Sequence, residues 1–143
     1  MGKERIFLWL LILGALIISG CSPILGINQS ALKDSSWQLV SFGSNIPLAG
    51  SDMTANFSSD EIQGNASCNH YFGEYKISGD QISISGLGWT EMACLDPEGI
   101  MEQEQILMGL LSRAAKFTLQ GNNLQIITST GEVLEFERSI TGK

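Results

Sequence analysis

Cys21, Cys68, Cys94 and His70 are the side chains through which this chain could do thiol or imidazole chemistry, and His70 is its single histidine. Cys68, His70 and Cys94, with Glu91 or Asp96 as a fourth ligand, offer atoms that zinc accepts. The spacing argues against a metal, because Cys68 and His70 stand alone as a close pair with no second pair to complete a site. A redox-active dithiol favours Cys-x-x-Cys, and the chain has none. A nucleophilic site built on His70 needs a serine and an orienting carboxylate, yet Ser67 is near it in sequence only. A hydrolase using paired carboxylates needs Glu91, Asp96 or Glu98 to converge in the fold. No catalytic, cofactor or metal site is therefore expected.

Cys21 is set apart by what precedes it. Lys3 and Arg5 open the chain, and a mostly apolar run follows from Ile6 to Ile18. Ile18-Ser19-Gly20-Cys21 then resembles the lipobox of bacterial lipoprotein signals: a branched aliphatic residue, two small residues, and the cysteine that receives lipid. The reading makes residues 1–20 a signal peptide and Cys21 the first residue of the mature chain. Its thiol would carry a diacylglyceryl group and its amino end, in many bacteria, a further acyl chain such as palmitate. Two or more chains hold a protein stably on a membrane where one is marginal. As an uncleaved membrane helix the apolar run falls short, covering about 20 Å of a hydrocarbon core about 30 Å thick. Ser22, rather than Asp, follows the cysteine. In a Gram-negative cell that favours the outer membrane, with the domain facing the periplasm.

An exported location changes the meaning of the other thiols. With Cys21 lipidated, Cys68 and Cys94 remain for the folded domain, and two such cysteines suggest a disulfide. Closing that loop is worth about 3–4 kcal/mol by the chain-entropy estimate.

Acidic residues outnumber basic ones 15 to 8, for a formal net charge of −7. Loss of Lys3, Glu4 and Arg5 with the signal leaves the remainder more acidic still. With no cluster of Lys and Arg, phosphate backbones are repelled and no nucleic-acid partner is expected. The expected function is that of a non-enzymatic envelope lipoprotein, its partners the membrane, through lipid on Cys21, and another component of the cell envelope. The alternative is a small-ligand-binding or chaperone-like periplasmic domain, for which a curled sheet of this length leaves little interior. Residues 21–35, with Ser, Pro, Gly and Asn and no sustained periodicity, read as a lipidated tether, and residues 36–140 as one domain.

That domain reads as short strands. Trp37–Phe42 is rich in strand formers and stopped by Gly43. Met53–Phe57 and Glu61–Ala66 flank a Ser-Ser-Asp turn, and Gly73–Ser78 and Gln81–Ser85 flank Gly79-Asp80. Phe117 with Leu119, Leu124 with Ile126, and Leu134 with Phe136 alternate around turns at Gly121-Asn122-Asn123 and Gly131. One segment departs from this rhythm. Asp96-Pro97-Glu98 reads as an N-cap, a first-turn proline and an acidic first turn, and Ile100, Leu107 and Leu111 then share a helical face with Met101 and Met108 beside it. The expected fold is α+β and mostly β: a compact curled or barrel-like antiparallel sheet of about 7–8 strands with one covering helix.

At these residues the chain resembles the META domain, or HslJ-like, family of small bacterial envelope proteins. Ser67-Cys68-Asn69-His70-Tyr71-Phe72-Gly73-Glu74-Tyr75 is similar to the family's Gly-Cys-Asn, three residues, Gly, one residue, Tyr. Thr90-Glu91-Met92-Ala93-Cys94 is similar to its Thr-x-Met-Ala-Cys, and Trp37 with Leu39 to its opening strand. Glu102 or Glu104, followed by Leu107 and Leu110 or Leu111, fits its helix. The resemblance implies a compact antiparallel domain, a link to heat shock, novobiocin resistance or virulence, and no established catalytic site. Ser67 stands where the family has glycine, so a local backbone shift away from positive φ is expected there. Asn69 is expected to bond its own backbone and shape the turn after Cys68. Gly73 is expected to allow a bend or a close strand contact, Tyr75 and Trp89 to fill the core edge, and Thr90 and Met92 to hold the loop of the second cysteine, with Ala93 a further residue of the family motif. Trp89 and an exposed Glu91 beside it are the first candidates for an interaction surface.

Overall fold

Side chains that alternate in the sequence also alternate between the inside and outside of a closed barrel. The computed structural model describes residues 29–139. Cys21 and the signal and lipidation readings lie outside the described residues. The strands are β1 (Ser35–Phe42), β2 (Thr54–Phe57), β3 (Glu61–Asn65), β4 (His70–Ser78), β5 (Gln81–Trp89), β6 (Ala114–Gln120), β7 (Asn123–Thr128) and β8 (Val133–Arg138), with helix α1 (Ile100–Leu111) between β5 and β6. Each strand pairs antiparallel with the next, and β8 returns to β1 through Trp37↔Arg138 and Leu39↔Phe136. Closure leaves β1 and β8 without free edges, which is how small all-β domains avoid edge-to-edge association.

The interior is filled by side chains. Trp37, Phe42, Tyr71, Tyr75, Phe117 and Phe136 are among the largest fully buried residues, joined by Ile62, Leu124, Ile126 and Leu134. Phe57 meets Tyr75 edge-on with ring centroids 5.0 Å apart, and the Arg138 guanidinium lies 4.4 Å from the centre of the Trp37 ring. An eight-stranded barrel is just wide enough for side chains to fill it. A small ligand would therefore have to sit on the outside.

Several elements depart from the sequence reading. Packing is present before Ser36: a 3-10 turn at Gln29–Ala31 leads to Leu32, which is fully buried against the core, and the rest of the expected tether, residues 21–28, lies outside the described residues. β4 and β5 run to His70 and Trp89, past the expected Gly73 and Ser85, because a bulge between Phe72 and Glu74 absorbs a change of register. A Cβ on Gly88 would sit 2.7 Å from the Phe72 ring, so only glycine lets that ring lie across the strand. The helix begins at Ile100, not at Asp96-Pro97. Gly99 takes φ 87°, and its carbonyl accepts the first helical hydrogen bond from Gln103 N–H. That left-handed residue turns the chain out of the preceding loop, a conformation available to glycine at little cost.

α1 lies across one end of the barrel. Leu107, Met108, Leu110 and Leu111 are buried. Its polar contacts reach the β1–β2 connection at Leu48 and the β3–β4 turn at Ser67 and Asn69.

Candidate functional site

The two sequence motifs meet at that end of the barrel. The β3–β4 turn carries Ser67, Cys68 and Asn69, the β5–α1 loop carries Thr90 to Gly99, and α1 supplies Gln103 and Glu104. A disulfide joins Cys68 to Cys94, with Cα atoms 5.9 Å apart.

Asn69 is the hub. It is fully buried, and its side chain points away from its own backbone, contrary to the expected local turn. Its Oδ1 accepts from Thr90 Oγ1 and from Met92 N–H, each at 2.7 Å. Its Nδ2 donates to Met92 O at 3.1 Å and to Glu104 Oε1 at 2.8 Å. Its backbone N–H donates to Glu104 Oε2 at 2.8 Å. The amide thus uses both its acceptor and donor sides on a loop more than twenty residues away, and the backbone and side chain together clamp one carboxylate.

Glu104 and Gln103 were not singled out for this role by their sequence context. Each is about 95 % buried or more, and each is fully engaged: Gln103 Nε2 donates to Ser67 Oγ and its Oε1 accepts from Leu48 N–H, both at 2.7 Å. A signal was present. Ile100, Gln103, Glu104 and Leu107 fall at the i, i+3, i+4, i+7 positions of one helical face, so two polar residues occupy the face that must be buried. No buried side-chain nitrogen or oxygen among the described residues lacks a partner.

Ser67 does not relax. It keeps φ 99°, the conformation a glycine would adopt there, and its N–H is held by Asn65 Oδ1 at 3.0 Å. A non-glycine residue held so costs on the order of 1–3 kcal/mol, which the surrounding bonds must offset. Gly73 is buried at the register shift between Phe72 and Glu74, where a Cβ would meet Ser85 O at 3.0 Å. Trp37 and Tyr75 are core residues; Trp37 Nε1 donates to Ser35 Oγ and the Tyr75 hydroxyl to Ser58 O. The Tyr71 hydroxyl donates to Thr54 O, and burial pushes its ionisation well above the usual phenol range. Burial, then the charges of Asp60 and Asp34, push Tyr75 in the same direction.

The loop built on this network presents its remaining side chains to solvent. Leu95 is 92 % exposed, Met92 50 % and Trp89 48 %, so Trp89 does not complete the core. Thr90, Glu91, Ala93, Asp96 and Glu98 are exposed too. Met92 holds the loop through its backbone alone. Ile46, 76 % exposed, comes from the β1–β2 connection that borders the same region. Between that connection and α1 runs a groove of about 500 Å³ whose floor includes Phe42, Ile106 and Leu110, continued by a smaller hollow of about 230 Å³ at Ile46, Leu48 and Gly99. Arg113 and Glu132 pair at 3.5 Å at the far end. Hydrogen bonds from Thr128 and Thr130, with the Glu132 backbone and Arg113 helping, lower the Glu132 carboxyl to about 2. Among the described residues no three His, Cys, Asp or Glu side chains converge as metal ligands.

A family model described as the META domain matches residues 30–140. Heat shock protein HslJ of Escherichia coli K12 is 27% identical over 90 residues, covering 63% of this chain and 53% of that protein. The chain thus spans about half the length of that relative. An NMR structure of a protein from Burkholderia xenovorans superposes with TM-score 0.67 and 26% identity over 79% of this chain and 87% of the other. A crystal structure of a DUF4847 family protein from Bacteroides vulgatus gives TM-score 0.57 at 11% identity, over 80% of this chain and 99% of the other, a likeness of fold alone.

Proposed function

Because the chain belongs to the META domain family, we propose that it is a non-enzymatic lipoprotein of the cell envelope, carried on lipid at Cys21, whose barrel serves as a rigid mount for the β5–α1 loop. The observation that carries this reading is how the polar residues of the two motifs are used. Asn69, Thr90 and Glu104 spend donors and acceptors on one another and on backbone, and Gln103 on the Ser67 hydroxyl and Leu48 N–H, while Trp89, Met92 and Leu95 are left facing solvent. A catalytic site keeps reactive groups free for substrate; here they are consumed in holding a surface. The acidic charge suits a domain displayed in solvent away from anionic lipid. The name of the Escherichia coli relative, a heat shock protein, supports a role under heat stress.

Intact mass of the protein purified from its own envelope, before and after reduction and thiol alkylation, tests the anchoring. A chain beginning at Cys21 with diacyl or triacyl mass and two protected cysteines is expected. An unlipidated chain would remove the anchor from the proposal. Deletion of the gene should sensitise cells to heat or envelope-active antibiotics, and Leu95→Asp should fail to restore resistance. A deletion strain indistinguishable from its parent under those stresses would refute the stress role.

A further inference from the structure

The loop that the preceding reading displays has a chemistry that selects its partner. Its exposed apolar side chains Trp89, Met92 and Leu95 alternate with exposed Glu91, Asp96 and Glu98, and Glu102 is exposed on the first turn of α1. Between Lys76 and Arg113 the chain has no lysine or arginine, and Arg113 is paired with Glu132. Ile46 extends the apolar set from the neighbouring connection: Leu48, two residues on, approaches Gly99 and bonds Gln103 through its N–H. The small hollow lined by Ile46, Leu48, Gly99, Glu102 and Ile106 lies where these segments meet. Of the six large hydrophobic residues that the described chain exposes, four come from these segments.

We infer that this end of the barrel docks a cationic amphipathic polypeptide segment, one that sets an apolar side chain into the hollow at Ile46 and Ile106 and lays Lys or Arg against Glu91, Glu98 and Glu102. The inference rests on the reading of the loop as an interaction surface. Charge chooses among the occupants that an apolar patch allows. An anionic bilayer would be repelled by the same carboxylates that flank Met92 and Leu95. A second copy docking through this end would bring the acidic rim against itself, where like charges in juxtaposition oppose association. A basic segment meets complementary charge at the rim and apolar surface at the centre, the arrangement of specific interfaces. The disulfide and the Asn69–Glu104 clamp pre-organise the loop, so little ordering entropy is lost on docking.

The test is isothermal titration of the full chain in micelles of a neutral detergent with a short synthetic peptide alternating leucine and lysine. Saturable binding is expected. Leu95→Asp, Glu91→Lys and Glu98→Lys are each expected to weaken it by about tenfold, with unchanged melting temperature because all three side chains are exposed. Glu61→Lys makes the same charge change in β3, beside the Ser58–Glu61 turn at the other end of the barrel, and is expected to alter binding far less. Equal weakening by Glu61→Lys would reduce the interaction to diffuse charge and overturn the inference. So would indifference to Leu95→Asp, or equal binding of a leucine–glutamate peptide or of phosphatidylglycerol vesicles. Complementation of the deletion strain by Leu95→Asp separates the two levels. If that variant fails in cells while the peptide result is negative, the displayed-loop reading stands and the cationic partner falls.

Discussion

Replacing Asn69 by alanine should cost this domain about 4–6 kcal/mol. The magnitude follows from its partners. Three of its side-chain hydrogen bonds, from Thr90 and with the Met92 backbone in both directions, join neutral groups and contribute about 1 kcal/mol each. The fourth goes to the buried carboxylate of Glu104 and is worth about 1.5–3 kcal/mol. Alanine leaves Glu104 with one fewer donor in a site that water does not reach. Small domains are stable by about 5–15 kcal/mol, so the variant should lie close to unfolding at room temperature. Urea titration of the oxidised protein by near-ultraviolet circular dichroism measures the loss. Two companions separate the network from the mere presence of the motif. Thr90→Val removes the bond to Asn69 and the one that Thr90 Oγ1 accepts from His70 N–H, and should cost about 1–2 kcal/mol. Met92→Ala should cost under about 0.5 kcal/mol, because Met92 bonds Asn69 through its backbone and its side chain is half exposed. A loss below about 1.5 kcal/mol for Asn69→Ala, or an equal loss for Met92→Ala, would refute the assignment of Asn69 as hub.

Three further outcomes follow from the same geometry. Reduction of Cys68–Cys94, or replacement of both by serine, should lower stability by about 3–4 kcal/mol on thermal melting, and an unchanged melting temperature in reductant would show that the cross-link contributes nothing. Gly64→Ala should destabilise by about 3 kcal/mol or more, since its Cβ would fall 1.9 Å from Thr54 O, whereas Gly109→Ala should stabilise by about 0.5–1 kcal/mol, because nothing lies nearer than Arg113 Nη1 at 3.8 Å; chemical denaturation of both variants reads the contrast, and matching signs would contradict it. The Glu132 carboxyl, lowered from 4.5 to about 2 chiefly by Thr128 and then Thr130, is depressed on folding, so its contribution is complete above pH 4.5 and is lost as pH falls towards 2; carbon NMR should find that low midpoint and Thr130→Val should raise it, while a wild-type midpoint near 4.5 would dispose of the bonding scheme.

How legible this protein was differs from segment to segment. Phe117, Leu124, Ile126, Leu134 and Phe136 declared their strands because a pleated strand turns alternate side chains to one face, a rule local to each strand. The helix showed itself by the spacing of Ile100, Leu107 and Leu111, and the cysteine pair by its place in a chain with an export-like start. The helix start was misplaced because Asp96-Pro97-Glu98 has the composition of a cap, and only the path of the loop puts the left-handed turn at Gly99. Ser67 looked able to relax; the bond its N–H donates to Asn65 and the one its hydroxyl accepts from Gln103 hold it where glycine would sit.

The sequence by itself therefore determined the local elements, the family motifs and the acidic surface, since each depends on residue type and short-range spacing. Tertiary structure alone decided that β8 closes on β1, that Asn69 turns from its own backbone to Met92 and Glu104, and that Trp89, Met92 and Leu95 remain outside. The reason is that strand partners and hydrogen-bond partners are settled by which distant segments share a face. Alternation tells a strand which side chains to bury, but not against what.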